Sequence, residues 1–167
     1  IQNTQLDGTG NFGRGLTVQE GAQVTLAGSA ILGSYESAIA VFSPTSTLSV
    51  TRSFVEGTQF NSDGSIGYGI VGIDGAGITI ANSEIDSCAG AGIAFGGAGG
   101  IVASSVIAHN GIGIATTTDL TLEQVDTAPA QVDLTIVAVT SSTVFVDNMT
   151  RVTSGDIPIP QTLGPVN

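Results

Sequence analysis

The chain has no tryptophan, no lysine, one cysteine and one histidine, and only 10% of its 167 residues are charged. Each shortage closes off a class of proteins. An ordinary soluble domain carries about 25% charged residues, so this surface must be built from Ser, Thr, Gly and Ala, small and neutral. The cations are Arg14, Arg52 and Arg151, set against fourteen carboxylates for a formal net charge of −11. Phosphate backbones repel such a surface, and no basic stripe exists to neutralise them. Neither nucleic acid nor an anionic membrane surface is expected as a partner. Long apolar runs are missing too: "LTIVAV" at 134–139 has the length of a strand and cannot span a bilayer. No membrane insertion is expected. Cys88 alone cannot close an internal disulfide and leaves the redox compartment open. With His109 as the only histidine to serve it as a base, the thiol reads as inert.

What is abundant is glycine, 24 residues, within a chain that is 41% apolar and therefore able to build a core. The glycines recur in a pattern. "TQLDGTGNFGRGL" at 4–16 returns without a gap as "TQFNSDGSIGYGI" at 58–70, with Gly10, Gly13 and Gly15 over Gly64, Gly67 and Gly69. The match runs on through Thr25 and Thr79, Ser29 and Ser83, Ile31 and Ile85. Each large unit divides into two smaller ones: a short alternating strand, a Gly- or Thr-rich turn, and a second alternating strand ending near a serine. Stretches this short bury nothing alone, whereas stacking lets each bond to its counterpart one unit later, in parallel. The expected fold is therefore all-β, a parallel β-helix (a single-stranded solenoid) of about five to six coils. Three inward ladders are expected: Leu16, Ile39, Ile70, Ile93, Ile112; then Leu26, Val50, Ile80, Val102, Leu122; then Ile31, Val55, Ile85, Ile107. The two matching phrases become one long turn inserted before every second coil, with Asp7-Gly8 and Asp63-Gly64 supplying turn chemistry. Ile1 aligns with Val55, so the chain is expected to start mid-coil, with an earlier coil or another cover at that end. Repeat coils are expected over 1–127, a loose terminal coil or cap over 128–152, and a proline-containing exit strap or linker over 153–167.

These repeats, over residues 12–127, resemble the right-handed parallel β-helices of the pectin-lyase-like superfamily. They are most similar to the degenerate, glycine-rich repeats of bacterial secreted and cell-surface proteins. The resemblance implies a right-handed turn and an extracellular or cell-surface address. The polysaccharide lyases it brings to mind use an Arg or Lys base, often with calcium held by aspartates. This chain has no lysine, its three arginines are scattered, and no Gly-His-Gly or Arg-x-Lys of the related hydrolases is present. His109 in "IAHNG" reads as a solvated turn residue. Glu20 and Asp74 occupy equivalent turns two coils apart, and Tyr35 and Tyr68 are the candidate sugar-stacking rings. "NSDGS" at 61–65 begins like a calcium loop, making Asn61 and Asp63 weak metal candidates, but Gly72 stands where the twelfth-position glutamate belongs.

Ser29, Ser53, Ser83 and Ser105 form a polar rank with no recurring base beside it, which suits hydroxyls bonding to each other and to nearby backbone at a corner. "NMT" at 148–150 matches a glycosylation triplet. One outward face runs Thr17, Ala40, Val71, Ala94, Gly113, small and apolar, and is expected to contact another chain or another part of this one. The functional expectation is a non-enzymatic structural or adhesive segment, without cofactor, acting as a rigid scaffold. It would self-associate or bind a protein partner through that face or through open coil ends. The alternative is a carbohydrate-active β-helix that binds or cleaves an extracellular polysaccharide.

Overall fold

A computed structural model of the chain describes residues 1–123 and 133–163. Short alternating runs broken by turns form seventeen strands, and no helix occurs among the described residues. The first twelve strands come in threes. They are β1 (Leu16–Val18), β2 (Gln23–Ala27) and β3 (Ala30–Leu32); β4 (Glu36–Phe42), β5 (Thr47–Thr51) and β6 (Phe54–Glu56); β7 (Gly67–Ile73), β8 (Gly77–Ala81) and β9 (Glu84–Asp86); β10 (Ala91–Gly96), β11 (Gly99–Ala103) and β12 (Val106–Ala108). Then follow β13 (Ile112–Thr116), β14 (Asp119–Glu123), β15 (Ile136–Thr140), β16 (Val144–Val146) and β17 (Thr150–Ser154).

Each of the first four coils places one strand in each of three parallel sheets, an arrangement consistent with a β-helix solenoid. The first sheet runs β1-β4-β7-β10-β13-β17 and the third, in reverse chain order, β16-β12-β9-β6-β3. Gln2 extends the third sheet by a bridge to Leu32. The register joins Leu16 to Ile39 to Ile70, and Ile31 to Val55 to Ile85, so the 54-residue repeat is two coils. The third expected ladder stands and gains Phe145 above Ile107.

The two other expected ladders need correction at their last member. Ile93 pairs with Ile114, whereas Ile112 pairs with Ala91. Ile114 is fully buried in the interior cluster; Ile112 packs outside, against the cluster on the outer face of the first sheet. The cause is a corner where the chain bends into the first sheet. There Gly15, Ala38, Gly69, Gly92 and Gly113 come one above another and point inward. A Cβ on Gly113 would stand 2.5 Å from the Arg151 carbonyl oxygen and 2.9 Å from Phe145 Cδ1. "GIGI" offers the Gly-Ile pair twice, and the corner accepts only the second.

In the second sheet the order is β14-β15-β11-β8-β5-β2, so β15 takes the place above β11 and β14 moves to the edge. Val139, not Leu122, therefore sits over Val102, and Leu122 is left 55% exposed. β15 reads IVAVT and buries Val137, Ala138 and Val139, while β14 is bounded by Asp119 and Glu123. The uncharged strand suits the interior and the charged one the edge. The boundary expected at 127/128 lies outside the described residues.

Two corner columns hold left-handed backbone: Gly28, Arg52, Asn82 and Ser104 before the third sheet, and Gly33, Gly57, Ser87, His109 and Asp147 after it. Left-handed backbone costs an L-residue about 1–2 kcal/mol. The bend offsets this by keeping each N–H on the next coil: Arg52 N donates to Ala81 O, Asn82 N to Ala103 O, and His109 N to Val146 O.

Candidate functional site

The outer face of the first sheet holds most of the residues expected to make contacts. Register sets Thr17, Ala40, Val71 and Ala94 in line, and continues to Ala115 and Thr153. Gly113 is thus not on this face; Ala115 takes its place, for the corner reason given above. Ala40, Val71 and Ala94 are each fully buried, and with Phe42, Ile66, Tyr68, Ile73 and Ala91 they form a second apolar cluster.

The chain itself lies on this face. After β17 the backbone turns at Gly155, whose N–H still reaches Thr116 O, and residues 156–163 run back toward the first coil. Ile157 packs against the cluster, its Cδ1 resting 3.5 Å from where a Cβ on Gly96 would be. Tyr68 Oη donates to Pro158 O at 3.1 Å, Pro160 is buried, and Arg14 Nη2 donates to Gln161 O. Pro158 and Pro160 have no N–H, so the segment cannot add a ladder strand and is held by side chains instead. Arg14 is itself buried. Its Nε donates to Glu36 Oε2 at 2.7 Å and its Nη2 to Oε1 at 3.1 Å, while its guanidinium lies 5.0 Å and 5.3 Å from the Phe12 and Phe42 ring centres. Nη1 of Arg14 finds no hydrogen-bond partner. Burial raises the Tyr68 phenol to about 12. Tyr68 is therefore no open sugar platform; its hydroxyl belongs to the strap.

The long turns are closed by their own acids. Asp7 Oδ1 accepts from Thr9 N, Thr9 Oγ1 and Asn11 N, and these bonds, the Thr9 hydroxyl foremost, hold its carboxyl below the ordinary range. In the equivalent turn Asn61 Oδ1 accepts from Ser65 N at 3.0 Å and Asp63 Oδ1 from the same N–H at 2.8 Å, with Ser65 lowering the Asp63 pKa. The calcium candidates thus point oxygens at a backbone donor. The turns also touch: Ser62 N donates to Gly10 O.

The serine rank makes the expected bonds to nearby backbone, but not the expected ones from hydroxyl to hydroxyl. Ser29 N donates to Ser53 Oγ, Ser53 N to Ser83 Oγ and Ser83 N to Ser105 Oγ, at 3.1–3.2 Å. The hydroxyls of Ser53, Ser83 and Ser105 return their protons to the carbonyls of Thr51, Ala81 and Ala103. A second polar column, missed in the sequence, is Cys88-Asn110-Asn148. Asn110 Oδ1 accepts from Cys88 N, and Asn148 Oδ1 accepts from Asn110 N and Nδ2. Asn148 Nδ2 donates to Ile107 O at 2.7 Å, so the glycosylation triplet has its amide engaged inside the fold. Burial pushes the Cys88 thiol up to about 11. His109 Nδ1 meets Asp86 Oδ1 at 2.9 Å on the surface, with the imidazole half exposed.

A shallow cleft of about 680 Å³ runs beside the serine rank, lined by Arg52, Phe54, Asn82, Glu84 and Ser104. No group of three or more His, Cys, Asp or Glu able to hold a metal occurs among the described residues. Compared with known proteins, the chain matches no family model, no curated protein and no solved structure.

Proposed function

We propose that this chain is a right-handed parallel β-helix segment of the pectin-lyase-like kind. It acts as a non-enzymatic rigid scaffold and interaction surface in a secreted or cell-surface bacterial protein. The observation that carries this reading is where the polar side chains go. Serine hydroxyls and asparagine amides bond backbone from coil to coil, Asp7 and Asp63 bond their own turns, and Arg14 is locked to Glu36 beneath the strap. These groups work as mortar between coils. Sheets linked this way transmit load along the stack, as a spacer or adhesive stalk requires. The −11 charge keeps such rods soluble and apart except where surfaces fit.

The carbohydrate reading rests on the cleft beside the serine rank, where Arg52 and the ring of Phe54 could meet an acidic sugar chain. A glycan array together with an absorbance screen for lyase products separates the two. The structural reading expects blanks in both. A glycan signal that disappears in Arg52→Ala or Phe54→Ala would replace it with the carbohydrate reading.

A further inference from the structure

Residues 155–163 make a contact unlike that of any strand in the coils. They cross the outer face of the first sheet from the last coil to the first without joining any ladder. Among the described residues, two hydrogen bonds tie residues 156–163 to the coils, Tyr68 Oη to Pro158 O and Arg14 Nη2 to Gln161 O. The rest is apolar contact, Ile157 against the cluster of Ala40, Val71 and Ala94. Yet the seat is built for an occupant. It holds a buried arginine with one nitrogen still unpartnered, a buried phenol whose hydroxyl aims outward, and flat aliphatic ground between them. These are features of a site that receives an extended segment carrying carbonyl acceptors and spaced apolar side chains.

We propose that the outer face of the first sheet is a binding site for an extended, proline-containing apolar segment, filled here in cis by residues 155–163 and exchangeable with the same segment of a second copy. The proposal rests on the scaffold reading and names the partner and the surface. Exchange asks for no new contact, because a neighbour's strap offers the same Ile157, Pro158 carbonyl and Gln161 carbonyl. The hinge is at hand: Gly155 has a φ of +148° and nothing within 4 Å of where its Cβ would stand. Closure in cis is favoured by a short tether, which sets an effective concentration in the mM range. The closed monomer therefore dominates until the tether is altered or copies are crowded together, as on a cell surface or in a fibre.

The test uses the full chain and a labelled peptide of residues 153–163. With the seat occupied in cis, the unaltered chain binds the peptide weakly. Ile157→Ser, which loosens the resident strap, is expected to tighten peptide binding at least about tenfold. Adding Tyr68→Phe then weakens it about five- to tenfold through loss of one hydrogen bond. In a second arm, deleting Gly155 and Asp156 shortens the hinge so that the strap cannot close on its own coils. Light scattering is expected to show a concentration-dependent dimer that excess peptide returns to monomer. Equal peptide binding with and without Ile157→Ser, or no binding to either, would overturn the proposal, as would a hinge-shortened chain that stays folded and monomeric. Should that chain lose its strand spectrum, the peptide titration decides. A positive glycan or lyase signal would instead sink the scaffold reading and leave the exchange result standing.

Discussion

Ile112 and Ile114 stand two positions apart and serve opposite sides of the same sheet. Ile114 lies fully buried over Ile93; Ile112 is half-buried among the outer cluster. Ile114→Ala should therefore cost about 2–5 kcal/mol, with a cavity left inside the stack. Ile112→Ala should cost less than half as much, and denaturant midpoints compare the two. An equal loss would place both inside. Alternation along a strand showed that isoleucines belonged here, but not which one, because the decision lies with Gly113 and the space above it. The acidic turns offer a second residue-level test. Asp7 and Asp63 have pKa values held below 3.8 by turn donors, so their contribution to turn order is complete above the ordinary aspartate value and fades as pH falls through the lowered one. Amide exchange at Thr9 and Ser65 should rise in that acid window. No such rise is expected in chains carrying Asp7→Ala and Asp63→Ala, where the protection is already gone.

At the scale of elements, the serine rank is where repetition becomes mechanical. Ser83 accepts from Ser53 N and donates to Ala81 O, so Ser83→Ala strands a buried donor and a carbonyl together. The expected cost is about 1–3 kcal/mol. Ser29→Ala, at the exposed end of the rank, should change stability by about 0.5 kcal/mol or less. Thermal melts of the two variants read the contrast. The rank itself was plain in the sequence because serine recurs at one place in four successive coils, with Thr143 aligned above Ser105 in the next. The Cys88-Asn110-Asn148 column was not, since two residue types share one structural role and only stacking brings them into line. The exchange of β14 and β15 was equally hidden: two apolar runs of similar length compete for one place, and burial of Val137 and Val139 settles it.

Over the whole molecule, the strap closes a face that would otherwise present bare Ala, Val and Phe. Tyr68 reports on it. Its phenol has a folded pKa raised from 10.0 to about 12, so the stability it lends is intact below pH 10 and is lost as pH climbs toward 12. Alkaline titration should show the Tyr68 phenolate band arriving late, and protease cleavage within residues 155–163 accelerating over the same range. Tyr68→Phe is expected to abolish both the band and the alkaline step. A strap that stays protected through pH 12 in the unaltered chain would mean that the phenol bond does not hold it.

Short amphipathic runs separated by turns, repeating in phase, cannot bury themselves except by stacking, and that physical necessity made the all-β, parallel, multi-coil architecture readable from the residues alone. Composition likewise set the expectation that phosphate backbones are poor partners for a chain of net charge −11. Contacts between residues distant in the chain followed no such local rule. Ile114 rather than Ile112, Val139 rather than Leu122, and the strap over Ala40, Val71 and Ala94 were decided by which side chain fits a space that exists only once the coils are stacked.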